Sequence, residues 1–131
     1  MSTPATALRS YAYAGHVAQV RRLLLEGVDP NVADEYRRTA LSLAAEQGHL
    51  AVVEVLLAGG AWVDPHEDYD TYETPLMVAV TSGHLEIVKK LVEAGANSFW
   101  HVGVSQANAA FYARLHGHTA ILEYLSSIPP R

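Results

Sequence analysis

The dipeptide Gly-His recurs four times, at Gly15-His16, Gly48-His49, Gly83-His84 and Gly117-His118, with spacings of 33, 35 and 34 residues. A period of that length describes a chain built from copies of one small unit, and it constrains the fold before anything else does. Four further columns keep the same register. Nine residues before each Gly stand Thr6, Thr39, Thr74 and Asn108, and two further on Leu8, Leu41, Leu76 and Ala110. Eight residues after each Gly stand Leu23, Leu56, Leu91 and Leu125, and twelve after the first three stand Gly27, Gly60 and Gly95.

Each copy reads as two short helices and a loop. In the second, Thr39 caps a helix over ALSLAAEQ by accepting an otherwise unpaired first-turn N–H. Ala44 and Ala45 are small enough to let neighbouring helices approach. Gly48 ends that helix, where a positive φ costs glycine little. His49 opens the second helix, LAVVEVLLA, whose Leu50, Val53, Leu56 and Leu57 form one apolar stripe. Gly59-Gly60 ends it. In the third copy Pro75 suits a first helical position. Pro129-Pro130 stops the last helix, expected to end near Leu125.

These residues resemble the ankyrin repeat. Thr74-Pro75-Leu76, Ala79, Gly83-His84-Leu85-Glu86-Ile87-Val88, Leu91-Val92 and Gly95-Ala96-Asn97 carry the match, and Thr39-Ala40-Leu41, Ala44-Ala45 and Gly48-His49-Leu50 follow it closely. The outer copies are degenerate, as end repeats are when one face meets water. Where the family carries His after Thr-Pro-Leu, this chain has Arg9, Ser42, Met77 and Phe111, so the resemblance does not imply the family's hydrogen-bond network at that position. The resemblance implies an all-α solenoid of stacked helix-loop-helix units with projecting β-hairpin-like loops. It implies one domain over 1–131, with units near 4–33, 34–68, 69–102 and 103–128. The inner helices and loop tips would form a concave face.

Catalytic and metal motifs do not emerge. The four Gly-His histidines follow from the repeat and lie one unit apart. His116 and His118 do not share a helical face and lack further ligands. The segment around Asp64 to Asp70 lacks the glycine and ligand spacing of a calcium loop. There is no phosphate-binding glycine loop and no nucleophile turn. Ser10, Ser42 and Ser82 read as exposed polar positions on helices, and Glu46, Glu54, Glu86 and Glu93 as solvated faces. No cofactor and no metal are expected, and the chain reads as a non-enzyme.

The 35-residue spacing places about two extra residues in DPHEDYDTYE, Asp64 to Glu73. This stretch holds five acids and no Lys or Arg. The chain has 14 acids and 9 bases, so the other nine acids balance the nine bases and the loop carries the whole net charge of −5. Such a cluster focuses negative potential and speeds encounter with a basic partner. Tyr69 and Tyr72 add contact area at low entropic cost. The competing reading is a loop kept solvated by its charge. The excess of acid opposes binding to nucleic acid or an anionic membrane. No run spans a bilayer, the N-terminus lacks a signal-peptide profile, and cysteine is absent, which together point to a cytoplasmic chain.

The expected role is therefore protein–protein interaction by a monomer. The candidate contact residues are Glu35, Tyr36 and Arg38 in one loop and Asp68, Tyr69, Asp70, Tyr72 and Glu73 in the acidic loop. Others are Glu46, Gln47, Thr81, Ser82 and His116 at inner-helix ends, and Trp100 in the third loop. Tyr13 and Leu115 share that face, and Trp62 reads as packing or simple exposure. Among ankyrin-type proteins in bacteria are immunity partners that neutralise toxins, so an inhibitor occluding a basic toxin or enzyme is one specific form of the role. A cytoplasmic adaptor or scaffold is the alternative, and a metal- or cofactor-dependent enzyme a remote one.

Overall fold

A computed structural model describes residues 3–64, 74–97 and 108–129. These residues form eight helices and no strand: α1 (Pro4–Ala14), α2 (Val17–Leu25), α3 (Ala40–Gln47), α4 (Leu50–Ala58), α5 (Pro75–Ser82), α6 (Leu85–Glu93), α7 (Ala109–Leu115) and α8 (Thr119–Ser126). The odd helices pack in sequence as one layer, α1 on α3, α3 on α5 and α5 on α7. The even helices do the same in a second layer, α2 on α4, α4 on α6 and α6 on α8. This is the all-α ankyrin-type solenoid.

Local chemistry sets the helix starts. Thr39 and Thr74 accept from the N–H three residues on, and Asn108 does the same for α7. In the first copy the helix begins at Pro4, two residues before Thr6, because Thr3 caps it and Pro4 occupies its first turn. Thr6 is thus inside α1, unlike its column mates.

The core runs unbroken between the two layers and is rich in small and branched residues. Ala44, Ala45, Ala79 and Ala113 are fully buried where inner helices approach, as alanine's size allows. Two expectations are corrected here. In α4 the buried residues are Val52, Val53 and Leu56, whereas Leu50 and Leu57 are half-buried. That helix lies between α2 and α6, so it buries two flanks instead of a single stripe. Ser42 is buried, not exposed: its hydroxyl accepts the Thr39 N–H while Thr39 Oγ1 accepts the Ser42 N–H. This reciprocal capping satisfies the polar groups that burial would otherwise penalise.

The Gly-His columns make the seam between successive helix pairs. His49 Nε2–H donates to Tyr13 O at 3.0 Å, His84 Nε2–H to Glu46 O at 3.1 Å, and His118 Nε2–H to Thr81 O at 3.1 Å. A carbonyl can only accept, so each ring carries its proton on Nε2. The ring lies flat against the preceding glycine. A Cβ built on Gly48 would come within 2.7 Å of the His84 ring, and Gly48 has φ +82°. Glycine is required there for two separate reasons, backbone conformation and space. On the other side of the stack, Asn31 donates to Gly60 O and accepts the Trp62 N–H at 2.7 Å, and Asp64 accepts the Asn97 N–H at 2.9 Å.

The two requirements on Gly48 separate by mutation. Gly60 has φ +95° with open space around its Cβ position. Gly60→Ala should cost about 1 kcal/mol for the left-handed backbone alone. Gly48→Ala should cost about 2–4 kcal/mol, because the ring must also be displaced. Urea unfolding of the two variants measures the difference.

Candidate functional site

The loop between the first two helix pairs is a tight turn built by one carboxylate. Asp34 N–H donates to Arg38 O at 3.0 Å, and Arg37 N–H donates to Asp34 O at 2.9 Å. This is a three-residue hairpin-type closure with its third residue, Arg37, at φ +63°. Asp34 Oδ1 accepts from the Tyr36 and Arg38 N–H groups, each at 2.9 Å, and Oδ2 pairs with Arg38 Nε at 2.9 Å. Burial alone would raise the Asp34 pKa. The Arg38 N–H and guanidinium and the Tyr36 N–H outweigh it, and the carboxyl titrates below its ordinary value.

The turn fixes what it displays. Tyr36 is 67% exposed, and the Arg38 guanidinium lies 5.1 Å from its ring centroid. Cation–π attraction at that distance orients the two side chains as one platform. Glu35 is exposed beside them. Between this turn and α1 runs an open groove of about 790 Å³, lined in part by Arg9, Tyr13, Glu35, Arg38 and Leu43. Arg9 braces it, with Nη1–H donating to Val32 O at 2.9 Å. Tyr13 is exposed at its edge.

The other candidates on described residues line the far ends of the inner helices. Gln47 is exposed and donates to Glu46 Oε1 at 3.3 Å, and Glu46 is half-buried. Thr81 is half-buried, and its hydroxyl donates to Val78 O, so less of it faces solvent than the sequence implies. Ser82 is exposed. His116 is exposed and stacks on His118, with centroids 6.0 Å apart and an interplanar angle of 14°. The structure thus joins Tyr13, Glu35 and Arg38 around one groove, with Tyr36 held against Arg38. It leaves Glu46, Gln47, Thr81, Ser82 and His116 as a separate row. Asp68, Tyr69, Asp70, Tyr72, Glu73 and Trp100 lie outside the described residues. Trp62 is exposed and lines a shallow cleft with Leu57 and Ala94.

Sequence reasoning missed Asp34 and Arg9. Asp34 carried a readable signal, since an Asp four residues before Arg and next to a helix start favours a side-chain-to-backbone turn. Arg9 gave none, because its acceptor is a backbone carbonyl 23 residues away. Among the described residues, no cluster of three or more His, Asp or Glu is arranged to hold a metal ion. No helix among them is long and apolar enough to cross a membrane.

A family model described as "Ankyrin repeats (3 copies)" matches residues 7–99 and again 59–129. The chain belongs to the ankyrin-repeat family, whose members generally mediate protein–protein interaction and are typically not enzymes. Two curated relatives share part of the sequence. One is the mitochondrial disaggregase of Bos taurus, 40% identical over 70 residues, which are 53% of this chain and 10% of the relative. The other is the mitochondrial liver isoform of glutaminase from Rattus norvegicus, 46% identical over 46 residues, which are 35% of this chain and 8% of the relative. The chain therefore matches about a tenth of the length of either relative.

The bracing role of Asp34 has a pH signature. A carboxyl with a lowered folded pKa adds stability above the unfolded value, and that stability is lost as pH falls through the folded one. Asp34→Ala should cost about 1 kcal/mol at pH 7, with the difference from the parent shrinking below pH ~4. Asp34→Asn keeps the acceptor for both N–H groups and should cost less than half as much. Urea midpoints at pH 7 and pH 3 check both statements.

Proposed function

We propose that the chain is a monomeric, non-enzymatic binding module whose concave face engages a basic protein partner. The charge distribution carries this reading: five acids and no base in residues 64–73 account for the entire net charge. Asp68, Asp70 and Glu73 steer the partner by long-range attraction and pair with its Lys or Arg side chains. Tyr36, Tyr69 and Tyr72 provide the contact that loses water on binding, and Trp100 extends it. The groove beside Tyr13 and the braced turn at Glu35, Tyr36 and Arg38 support the choice of this face. So does the row formed by Glu46, Gln47, Thr81, Ser82 and His116. The chemistry is occlusion: the module covers a basic surface and performs no reaction. An inhibitor of a basic enzyme or toxin, of the immunity type, is the specific form we favour. An adaptor would use the same face on several partners.

Capture of partners on immobilised protein at low and high salt tests the reading, followed by titration of each captured partner in pure form. One basic partner released by salt supports it, and inhibition of that partner's activity establishes the inhibitor form. Several unrelated partners support the adaptor form. Replacing Asp68, Asp70 and Glu73 together by Ser should lower affinity about tenfold or more, mainly through slower association, with an unchanged melting temperature. Tyr36→Ala should raise the dissociation rate instead. Affinity that ignores both changes would overturn the assignment of this face.

A further inference from the structure

The groove between α1 and the turn at residues 34–38 holds a cation that pairs with no acid. Arg9 is half-buried on the α1 wall, and it donates to neutral acceptors only: Nη1–H to Val32 O at 2.9 Å and Nη2–H to Thr6 Oγ1 at 3.3 Å. The ion pairs among the described residues use Arg22, Arg38 and Lys89, and Arg9 enters none of them. A guanidinium has five N–H groups; two are spent here and three remain. Bracing Val32 needs one N–H and no charge. A half-buried cation without a counter-ion is a costly way to supply that bond.

The rest of the groove is arranged around this charge. On the turn side, Asp34 spends both oxygens on the turn and on Arg38. Glu35 stands exposed at the rim, and its carboxylate makes no ion pair among the described residues. On the α1 side, Ser10 and Tyr13 line the groove and are exposed, and neither hydroxyl is used in a hydrogen bond among the described residues. The later helix pairs carry buried Ser42, buried Met77 and then Phe111 in the column of Arg9, so the charge is peculiar to this groove.

We propose that the groove reads one acidic side chain on a segment of the partner protein. An Asp or Glu carboxylate of that segment docks on the remaining N–H groups of Arg9, with the Ser10 and Tyr13 hydroxyls as further donors. A basic side chain close to it in the segment meets Glu35. A guanidinium–carboxylate pair is directional as well as strong, so it fixes the register of the segment. The inference rests on the concave face being the binding face, and it adds what selects the partner there. Attraction to residues 64–73 acts on any basic protein, whereas a carboxylate seated on Arg9 discriminates between basic proteins.

Selection of short blocked peptides on the immobilised full-length protein tests this. The central position is fixed in turn as Glu, Asp, Gln or Lys, and the flanking positions are random. The parent should retain the acidic sets about tenfold better than the Gln set and enrich Lys or Arg beside the acid. Arg9→Glu should reverse the central preference to Lys, a change that loss of the brace alone does not produce. Glu35→Gln should keep the central acid and lose the flanking base. The variant with Ser at positions 68, 70 and 73 should select as the parent does, which separates a failure of the groove from a failure of the acidic segment as a steering element. Circular dichroism verifies folding, and if Arg9→Glu is not helical, Arg9→Gln should abolish the acid preference and carries the comparison. Equal retention of the Glu, Asp and Gln sets by the parent overturns the proposal. So does a folded Arg9→Glu or Arg9→Gln variant that still prefers the acid.

Discussion

The imidazole of each interior Gly-His histidine rests on a glycine of the preceding helix pair and donates its Nε2–H to a carbonyl in the last turn of that pair's first helix. This contact fixes the spacing and register of the stack. A helix pair of this size cannot bury its apolar faces alone, since eight- or nine-residue helices are marginal without tertiary support. The seam brings the pairs close enough for the alanine columns to meet and for the valine and leucine columns of the second layer to close behind them. It also satisfies three inner-helix C-terminal carbonyls that lie at the end of their own helices' hydrogen bonding. On the opposite edge, Asn31 and Asp64 tie the loops of successive pairs together by the same logic, with a side chain bridging to the next pair's backbone.

Because the backbone is tied down at both edges, the surface between them can be given over to recognition. The turn at residues 34–38 illustrates the division of labour. Asp34 spends both carboxylate oxygens on holding the turn, and Tyr36, Glu35 and Arg38 are left facing water in a fixed arrangement. A pre-formed exposed aromatic loses little conformational freedom on binding, which is why such a platform is effective in recognition. Arg9 makes the same kind of sacrifice from α1.

The stack also treats its ends differently. The first helix pair closes its outer side with Tyr11 and polar residues on α2. The last pair presents Phe111 and Leu115 to solvent, and among the described residues, chain neighbours aside, none lies within 4 Å of a Cβ built on Gly117. In the close-packing column the first pair carries Tyr11 where the later pairs carry Ala44, Ala79 and Ala113.

The period, the two-helix unit, the Thr and Asn caps, the helix-ending glycines and the alanine columns were all legible in the sequence. Each is set by local backbone chemistry or by a spacing that recurs. The location of the charge excess was legible too, because charge is additive along the chain. The tertiary structure decided what each repeated residue contacts. His49, His84 and His118 read as helix starts, yet their acceptors stand 36 to 38 residues earlier, beyond any local pattern. Ser42 read as exposed and is buried, because reciprocal capping removed the penalty that sequence reasoning assigned to its hydroxyl. Thr6 joined a capping column by spacing but lost that role to Thr3, whose hydroxyl accepts the Thr6 N–H ahead of a first turn that Pro4 occupies. Local propensity therefore determined where the helices begin and end. Only packing between pairs decided which polar groups are used internally and which remain exposed, because that depends on atoms one full repeat away.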